Sequence, residues 1–272
     1  MSDVLDRPAV TPELKVIGTR PVRPDGADKV TGRAAFGADF AMPGMLVGKI
    51  KRSPHAHARI VSIDTRKARA LAGVKAVVTA VDFPDLASEE YEAGESAANL
   101  RDLSLNCMAR DKALYEGHAV AAVAATSSAI ADAALELISV TYEVLPHVID
   151  VEAAMALDAP LLDPKLFTQG LEAKPDKPSN IAARNQLLRG DLETGFAAAD
   201  VIVERRYTTA AVHQGYIEPH ATVAAFGSDG QCQVWSSSQG QFMVRTYCAK
   251  LLGLESSDIR DTPAEIGGGF GG

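Results

Sequence analysis

The chain has 272 residues, of which 47% are hydrophobic and 23% charged, and its formal net charge is −8. This composition is typical of a globular protein with enough length for one large domain or two ordinary ones. The acidic balance and the absence of a basic stripe argue against a nucleic-acid partner, and the apolar runs are too short to span a bilayer.

Cysteine usage and the N-terminus indicate the compartment. Cys107, Cys232 and Cys248 are scattered without a C-x-x-C pair, which disfavours an iron–sulfur cluster, a structural zinc and a disulfide framework in this chain. Residues 1–13 are polar and lack the features of a secretory signal. The sequence therefore predicts a cytoplasmic protein.

The first half of the chain predicts a flexible arm over residues 1–16 and an α/β domain over residues 17–152. Alternation of apolar and polar residues across residues 45–64 predicts one long strand, or two short ones interrupted at Pro54. The other predicted elements form two β-α-β units: a helix over 66–71 capped by Thr65, a strand over 74–83, a strand over 120–125, an alanine-rich helix to residue 138 capped by Thr126 or Ser127, and a strand over 140–144.

Residues 85–110 are acidic and irregular, and they predict a solvated surface excursion. The proline-rich segment over residues 153–180 predicts an inter-domain linker. A second domain is then expected over residues 181–272, and we expect these residues to be only its N-terminal part.

The second half predicts a helix, a hairpin and a helix-to-strand connection. Asp191 is a suitable N-cap for a helix over residues 192–199. The remaining predicted elements are a strand over 201–208, hairpin strands over 221–226 and 231–236, a helix over 242–252 ended by Gly253, and a strand over 258–266. The fold class is therefore α+β, with mixed helix and strand content.

Several polar groupings are candidate sites. His55 and His57 are two residues apart on a predicted strand, where both side chains would share a face and a metal, but no third ligand lies nearby in sequence. His213, Glu218 and His220 form a second group, for which acid–base chemistry or metal binding competes with a structural turn at Glu218-Pro219.

The last stretch of the chain combines a side-chain amide with a glycine run. Ser238-Gln239 follows the second hairpin strand, and Gly267-Gly268-Gly269-Phe270-Gly271-Gly272 follows the last strand. On these residues alone three interpretations stay open: a flexible glycine tail, a dinucleotide-binding loop, and a loop whose amides contact an oxo group or phosphate of a cofactor. The dinucleotide fingerprint is weak because no helix and no acidic residue follow, and the Gly-Lys-Ser/Thr of a P-loop is missing.

The pattern Ser238-Gln239 … Gly268-Gly269-Phe270-Gly271-Gly272 resembles the molybdenum-cofactor subunit of the xanthine dehydrogenase / aldehyde oxidase family. Two other regions carry the same resemblance. Ser53-Pro54-His55-Ala56-His57 and Glu116-Gly117-His118 resemble that family's hammerhead domain, and Gly190-Asp191 … Glu218-Pro219-His220 resembles the opening of its molybdopterin-binding region.

The resemblance implies specific roles at the glycine run. In that family a Gln at this spacing approaches an oxygen ligand of molybdenum through its side-chain amide, and the Phe of the run does so through its backbone N–H. These roles fall on Gln239 and Phe270, with Gly268, Gly269 and Gly271 as cofactor-binding neighbours. No catalytic residue and no direct metal ligand is assigned in this chain.

For the whole enzyme the resemblance implies hydroxylation of an aldehyde or an aromatic N-heterocycle, with water as the oxygen source. The cofactor would be molybdenum–molybdopterin, as such or as its cytosine dinucleotide, with 2Fe-2S clusters and FAD on partner subunits. Because the family's large subunit continues past the glycine run, we expect the chain to need the remainder of the molybdenum subunit, as a truncated product or a split subunit, and to be inactive alone. Two alternatives are a non-catalytic scaffold that docks the iron–sulfur and flavin subunits and, with less support, a nucleotide-binding module.

Overall fold

The computed structural model describes residues 15–93, 96–173 and 175–271. Residues 1–14 of the predicted arm, and Gly272, lie outside the described residues. Helices and strands alternate through the described part in small sheets, which confirms the predicted α+β class. We call residues 47–144 the first unit and residues 222–271 the second unit.

The first unit contains two three-stranded antiparallel sheets, one in the order β1-β7-β3 and the other in the order β6-β2-β8. Its strands, in chain order, are β1 (Val47–Arg52), β2 (Ala58–Asp64), β3 (Val74–Thr79), β4 (Glu90–Ala93), β5 (Ser96–Asn99), β6 (Lys112–Ala113), β7 (Ala119–Ala125) and β8 (Ser139–Val144). Residues 53–57 separate β1 from β2, so the alternative with two short strands is confirmed.

Helices cover the first of these sheets. A short helix α1 (Gly26–Thr31) precedes the first unit, which contains α2 (Arg66–Ala70), α3 (Leu100–Cys107) and α4 (Ser128–Glu136). Ser127 caps α4, since its side chain accepts a hydrogen bond from the Ile130 amide at 3.3 Å. The alanine face of α4 lies against the sheet, and the buried core there consists of Ala68, Val77, Ala121, Val123, Ala125, Ala131, Ala134 and Ile138.

Three expectations for the first unit were wrong. Residues 85–110 are not an irregular excursion, because they contain the antiparallel hairpin β4–β5 and helix α3. Neither expected β-α-β unit exists as such, because β2 and β3, which flank α2, belong to different sheets, and so do β7 and β8, which flank α4. Thr65 makes no capping bond, and the Asp64 carboxylate accepts from the Arg66 amide instead.

The segment between the two units is largely irregular. It contains α5 (Val151–Ala154) and α6 (Leu192–Ala197), and the Asp191 side chain caps α6 by accepting from the Thr194 amide at 3.1 Å. The strand expected over residues 201–208 is absent there, and Val201, Ile202 and Val203 are 60–77% exposed. None of the described helices is long and apolar enough to cross a membrane.

The second unit is one small sheet and one long helix. Its elements are β9 (Thr222–Phe226), β10 (Cys232–Ser236), α7 (Gln241–Leu252) and β11 (Ile259–Pro263). β9 and β10 form the predicted hairpin, while β10 and β11 run parallel with α7 as the crossover between them. Gly253 ends α7 in the left-handed conformation, with φ of 68°, as predicted. A small core of Cys232, Val234, Ala249 and Ile259 joins the helix to the sheet.

Candidate functional site

The parallel pairing of β10 with β11 determines where the terminal motif lies. Ser236 pairs with Pro263 at the end of the ladder, and the Ala264 amide donates to the Ser236 carbonyl at 2.8 Å. Because the carboxyl ends of parallel strands meet at one sheet edge, the loop after β10 and the segment after β11 leave the sheet side by side. Gln239 and the glycine run are therefore neighbours in space, although about 30 residues separate them in sequence.

The Gln239 amide lies directly beside the glycine run. A Cβ atom placed on Gly269 would be 3.2 Å from Gln239 Nε2, so the absence of a side chain there allows this approach. Gln239, Gly268 and Gly269 together line a cavity of about 560 Å³. The structure thus brings three of the five predicted cofactor-binding residues to one cavity.

Phe270 has an unusual backbone. Its φ is 51°, the one positive value among the described non-glycine residues, and its side chain is 78% exposed. A left-handed conformation is costly for a bulky residue and commonly persists where a site constrains the chain. Phe270 is not among the residues that line the cavity, so the structure does not bring it to the cavity beside Gln239. Gly271, also with positive φ, follows it outside the cavity lining.

Several hydrogen-bond donors at this edge have no acceptor among the described residues. The Gln239 side chain and the amides of residues 268–271 donate to none of the residues that the structure describes. Glu218 is the one acidic side chain among the described residues that line the cavity. Donors grouped in this way are suited to an anionic, oxygen-rich group.

The Glu218 carboxylate accepts from two donors. Oε1 accepts from Ser237 Oγ at 2.6 Å, and Oε2 accepts from the Gly267 amide at 2.5 Å. Desolvation raises the pKa of Glu218, but these bonds and the nearby His220 outweigh it, so that the net pKa is lowered. The sequence singled out Glu218 for either chemistry or a turn, but it gave no signal for these contacts.

The other groupings do not form metal sites. His220 Nε2 is hydrogen-bonded to the Tyr216 hydroxyl, and His213 packs its ring 5.3 Å from that of Tyr216. His55 and His57 lie in the loop before β2, not on a strand, and the buried His57 donates from Nδ1 to the Pro146 carbonyl at 2.8 Å. Among the described residues, no group of three or more His, Cys, Asp or Glu side chains could hold a metal ion.

The sequence analysis did not identify two residues that line the cavity, Ser236 and Cys248. Cys248, a free thiol on α7, lines the cavity. Ser236 also lines it, and its Oγ is 2.9 Å from both carboxylate oxygens of Asp261 on β11. Nothing in the local sequence marks either residue, because both contacts depend on how α7 and β11 pack onto β10.

Comparison with known proteins agrees with this architecture. Residues 31–146 match the family model "Aldehyde oxidase and xanthine dehydrogenase, a/b hammerhead domain", and residues 173–272 match the "Molybdopterin cofactor-binding domain". The chain therefore belongs to the aldehyde oxidase and xanthine dehydrogenase family of molybdopterin-dependent oxidoreductases.

Among its relatives, the chain is 33% identical over 260 residues to the nicotinate dehydrogenase large molybdopterin subunit of Eubacterium barkeri, and 34% identical over 268 residues to the carbon monoxide dehydrogenase large chain of Afipia carboxidovorans. These matches cover 96% and 95% of this chain. A solved structure, the quinoline 2-oxidoreductase from Pseudomonas putida 86, superposes with a TM-score of 0.74 at 31% identity over 93% of this chain. The chain spans 56%, 32% and 31% of the lengths of these three proteins.

Proposed function

We propose that this chain forms one wall of the molybdenum-cofactor site of a molybdenum hydroxylase. Gln239 would donate from its side-chain amide, and Phe270 from its backbone N–H, to an oxygen ligand of the metal, while Gly268, Gly269 and Gly271 leave room for that group. The observation that carries the proposal is the approach of Gln239 Nε2 to Gly269 at the edge of one cavity.

The donors suit an anionic centre for a physical reason. An oxo group that is removed from water needs hydrogen-bond donors that are already fixed in place, since each unmet bond costs free energy. A backbone N–H between glycines supplies such a donor without steric conflict, and a carboxamide supplies one without adding charge. When bound, molybdenum–molybdopterin would provide the redox chemistry for hydroxylating an aldehyde or an aromatic N-heterocycle with oxygen from water.

This wall contributes binding and not proton transfer. Glu218, the one acidic group among the described cavity residues, has both carboxylate oxygens engaged by donors and is not placed to accept a substrate proton. We therefore propose that turnover also requires the remainder of a molybdenum subunit, with 2Fe-2S clusters and FAD on partner subunits. A hammerhead-like domain over residues 17–152, a linker over 153–180 and a cofactor-binding part over 181–272 are the division we propose.

Cofactor retention tests the proposal. The chain is co-expressed with its partner subunits, and molybdenum and pterin are measured in the purified complex for wild type, Gln239→Glu and a control, Gln233→Glu. Gln233 is an exposed residue of β10 outside the cavity lining. Gln239→Glu replaces a donor by a negative charge, so molybdenum content should fall about tenfold or more, whereas the control should match wild type. Equal molybdenum in both variants, or none in the wild-type complex, would refute the proposal.

A further inference from the structure

Glu218 connects two loops that are far apart in the sequence. Its hydrogen-bond partners are Ser237 in the loop after β10 and Gly267 at the start of the glycine run. Gly267 also packs on the stem of Glu218, since a Cβ added to Gly267 would lie 2.7 Å from Glu218 Cβ. The two loops on either side of the cavity are therefore both attached to one carboxylate.

We propose that Glu218 is a positioning residue that fixes the separation of the two loops carrying the cofactor contacts. Ser237 lies two residues before Gln239, and Gly267 lies three residues before Phe270. Each bond to Glu218 thus restrains the chain within three residues of a proposed cofactor donor. Glu218 acts through these neighbours and is not itself a catalytic residue. Its effect on the cofactor rests on the proposed function, whereas its effect on the loops does not.

A carboxylate is suited to this position because both partners donate. An ionised carboxylate has two oxygens and accepts several hydrogen bonds, while an amide of the same shape has one oxygen and an NH2 group. In a Glu218→Gln variant the NH2 would face either the Ser237 hydroxyl or the Gly267 amide. A hydroxyl can turn to accept, but the Gly267 N–H cannot, so one loop would lose its restraint whenever the amide takes that orientation.

Hydrogen exchange tests the restraint without any cofactor. We expect Glu218→Gln to raise amide exchange about tenfold in peptides covering residues 264–267, with unchanged exchange in β7 and α4 of the first unit. The matched control is Glu193→Gln, at an exposed position in α6 whose side chain is remote from the cavity lining. Ser237→Ala is a second variant that leaves Glu218 in place, and it should raise exchange in residues 236–240 alone.

Coupling to Gln239 distinguishes positioning from general stability. In the co-expressed complex, Glu218→Gln should lower molybdenum content, but it should add little further loss in a chain that already carries Gln239→Glu. Additive losses of molybdenum in the double variant would overturn the positioning role. So would wild-type exchange rates at residues 264–267 in Glu218→Gln and at residues 236–240 in Ser237→Ala. A wild-type complex without molybdenum would refute the proposed function instead, and the exchange measurement would still decide whether Glu218 restrains the loops.

Discussion

The Asp261 carboxylate is partly buried, and its hydrogen-bond partner, Ser236, carries no compensating charge. Ser236 is 6% exposed, and its Oγ donates to the carboxylate of Asp261 at 2.9 Å from either oxygen. Burial raises the pKa of Asp261 above its usual value near 3.8, and hydrogen bonds from Ser236 and the Thr262 backbone offset only part of this effect. The ionised carboxylate also raises the pKa of Cys248, whose larger cause is its own burial.

We predict that Asp261→Asn stabilises the chain at neutral pH. Because the folded protein binds the Asp261 proton more tightly than the unfolded chain does, the free energy of unfolding falls as pH rises through the raised pKa. Asparagine removes this loss and can still accept from Ser236. The melting temperature at pH 7 should rise by about 1–3 °C, and the difference from wild type should vanish below about pH 4.

Thermal denaturation from pH 3.5 to pH 8 measures this difference. Asp200→Asn, at an exposed position, is the control for the change in net charge on an acidic chain. A gain in Asp261→Asn that is equal to that of the control, or that is independent of pH, would contradict the prediction.

The residues that could be identified from the sequence and those that could not differ in how far apart in the sequence their contact partners lie. Gln239 and the glycine run form a motif that can be recognised from residue types and spacing alone. The structure places Gln239, Gly268 and Gly269 at one cavity. Glu218 accepts hydrogen bonds from Ser237, which is 19 residues away in sequence, and from Gly267, which is 49 residues away. Such contacts depend on the folded path of the chain, so no local pattern predicts them.

At the scale of elements, prediction succeeded where local chemistry was sufficient. The hairpin β9–β10 has a glycine-rich turn, α7 has Gly253 at its end, and α4 has Ser127 at its start. It failed for residues 201–208, where alternation suggested a strand but no described strand pairs with the segment. It also failed for the sheet membership of β2 and β3, because strand order is set by packing between distant segments.

Helix α4 offers a sharp test of how tightly the first unit is packed. Ala134 is fully buried against the sheet, while the adjacent Ala133 is exposed. Ala134→Leu would force three extra carbons into a filled space and should lower the free energy of unfolding by about 1–3 kcal/mol. Ala133→Leu adds the same side chain to solvent and should change the stability by less than about 0.5 kcal/mol.

Urea denaturation of the two variants measures this contrast. Since leucine and alanine both favour helix, propensity contributes little to the difference between them. If Ala134→Leu were as stable as Ala133→Leu, the alanine face of α4 would not be in close contact with the sheet, and the packing described here would be wrong.

At the scale of the whole molecule, the segment before the first unit packs on the second unit. The Glu265 amide donates to the Ala35 carbonyl at 3.0 Å, and Lys29 forms an ion pair with the Glu265 side chain. Phe40 lies with its ring 6.2 Å from that of Trp235 on β10, the sole tryptophan of the chain. Residues from both ends of the described chain therefore support the edge that carries the candidate site.

Gly37 packs closely against the residue before β9 and the loop after β10. A Cβ there would overlap the Ala221 carbonyl oxygen and lie 2.8 Å from Ser237 Oγ, and Ser237 is the residue that also donates to Glu218. Gly37→Ala should therefore push the segment away from the sheet at a cost of about 1–3 kcal/mol in the free energy of unfolding.

Limited trypsin digestion reports this displacement at Arg33, which lies between Lys29 and Gly37. Cleavage at Arg33 should be several-fold faster in Gly37→Ala than in wild type, because the contacts that hold the segment are weakened. Gly48→Ala is the matched control, since a Cβ at that β1 position meets nothing within 4 Å. If both variants are cleaved at the wild-type rate, the N-terminal segment is not held by the close approach at Gly37. Faster cleavage in Gly37→Ala alone would establish that this segment supports the edge on which Gln239 and the glycine run meet.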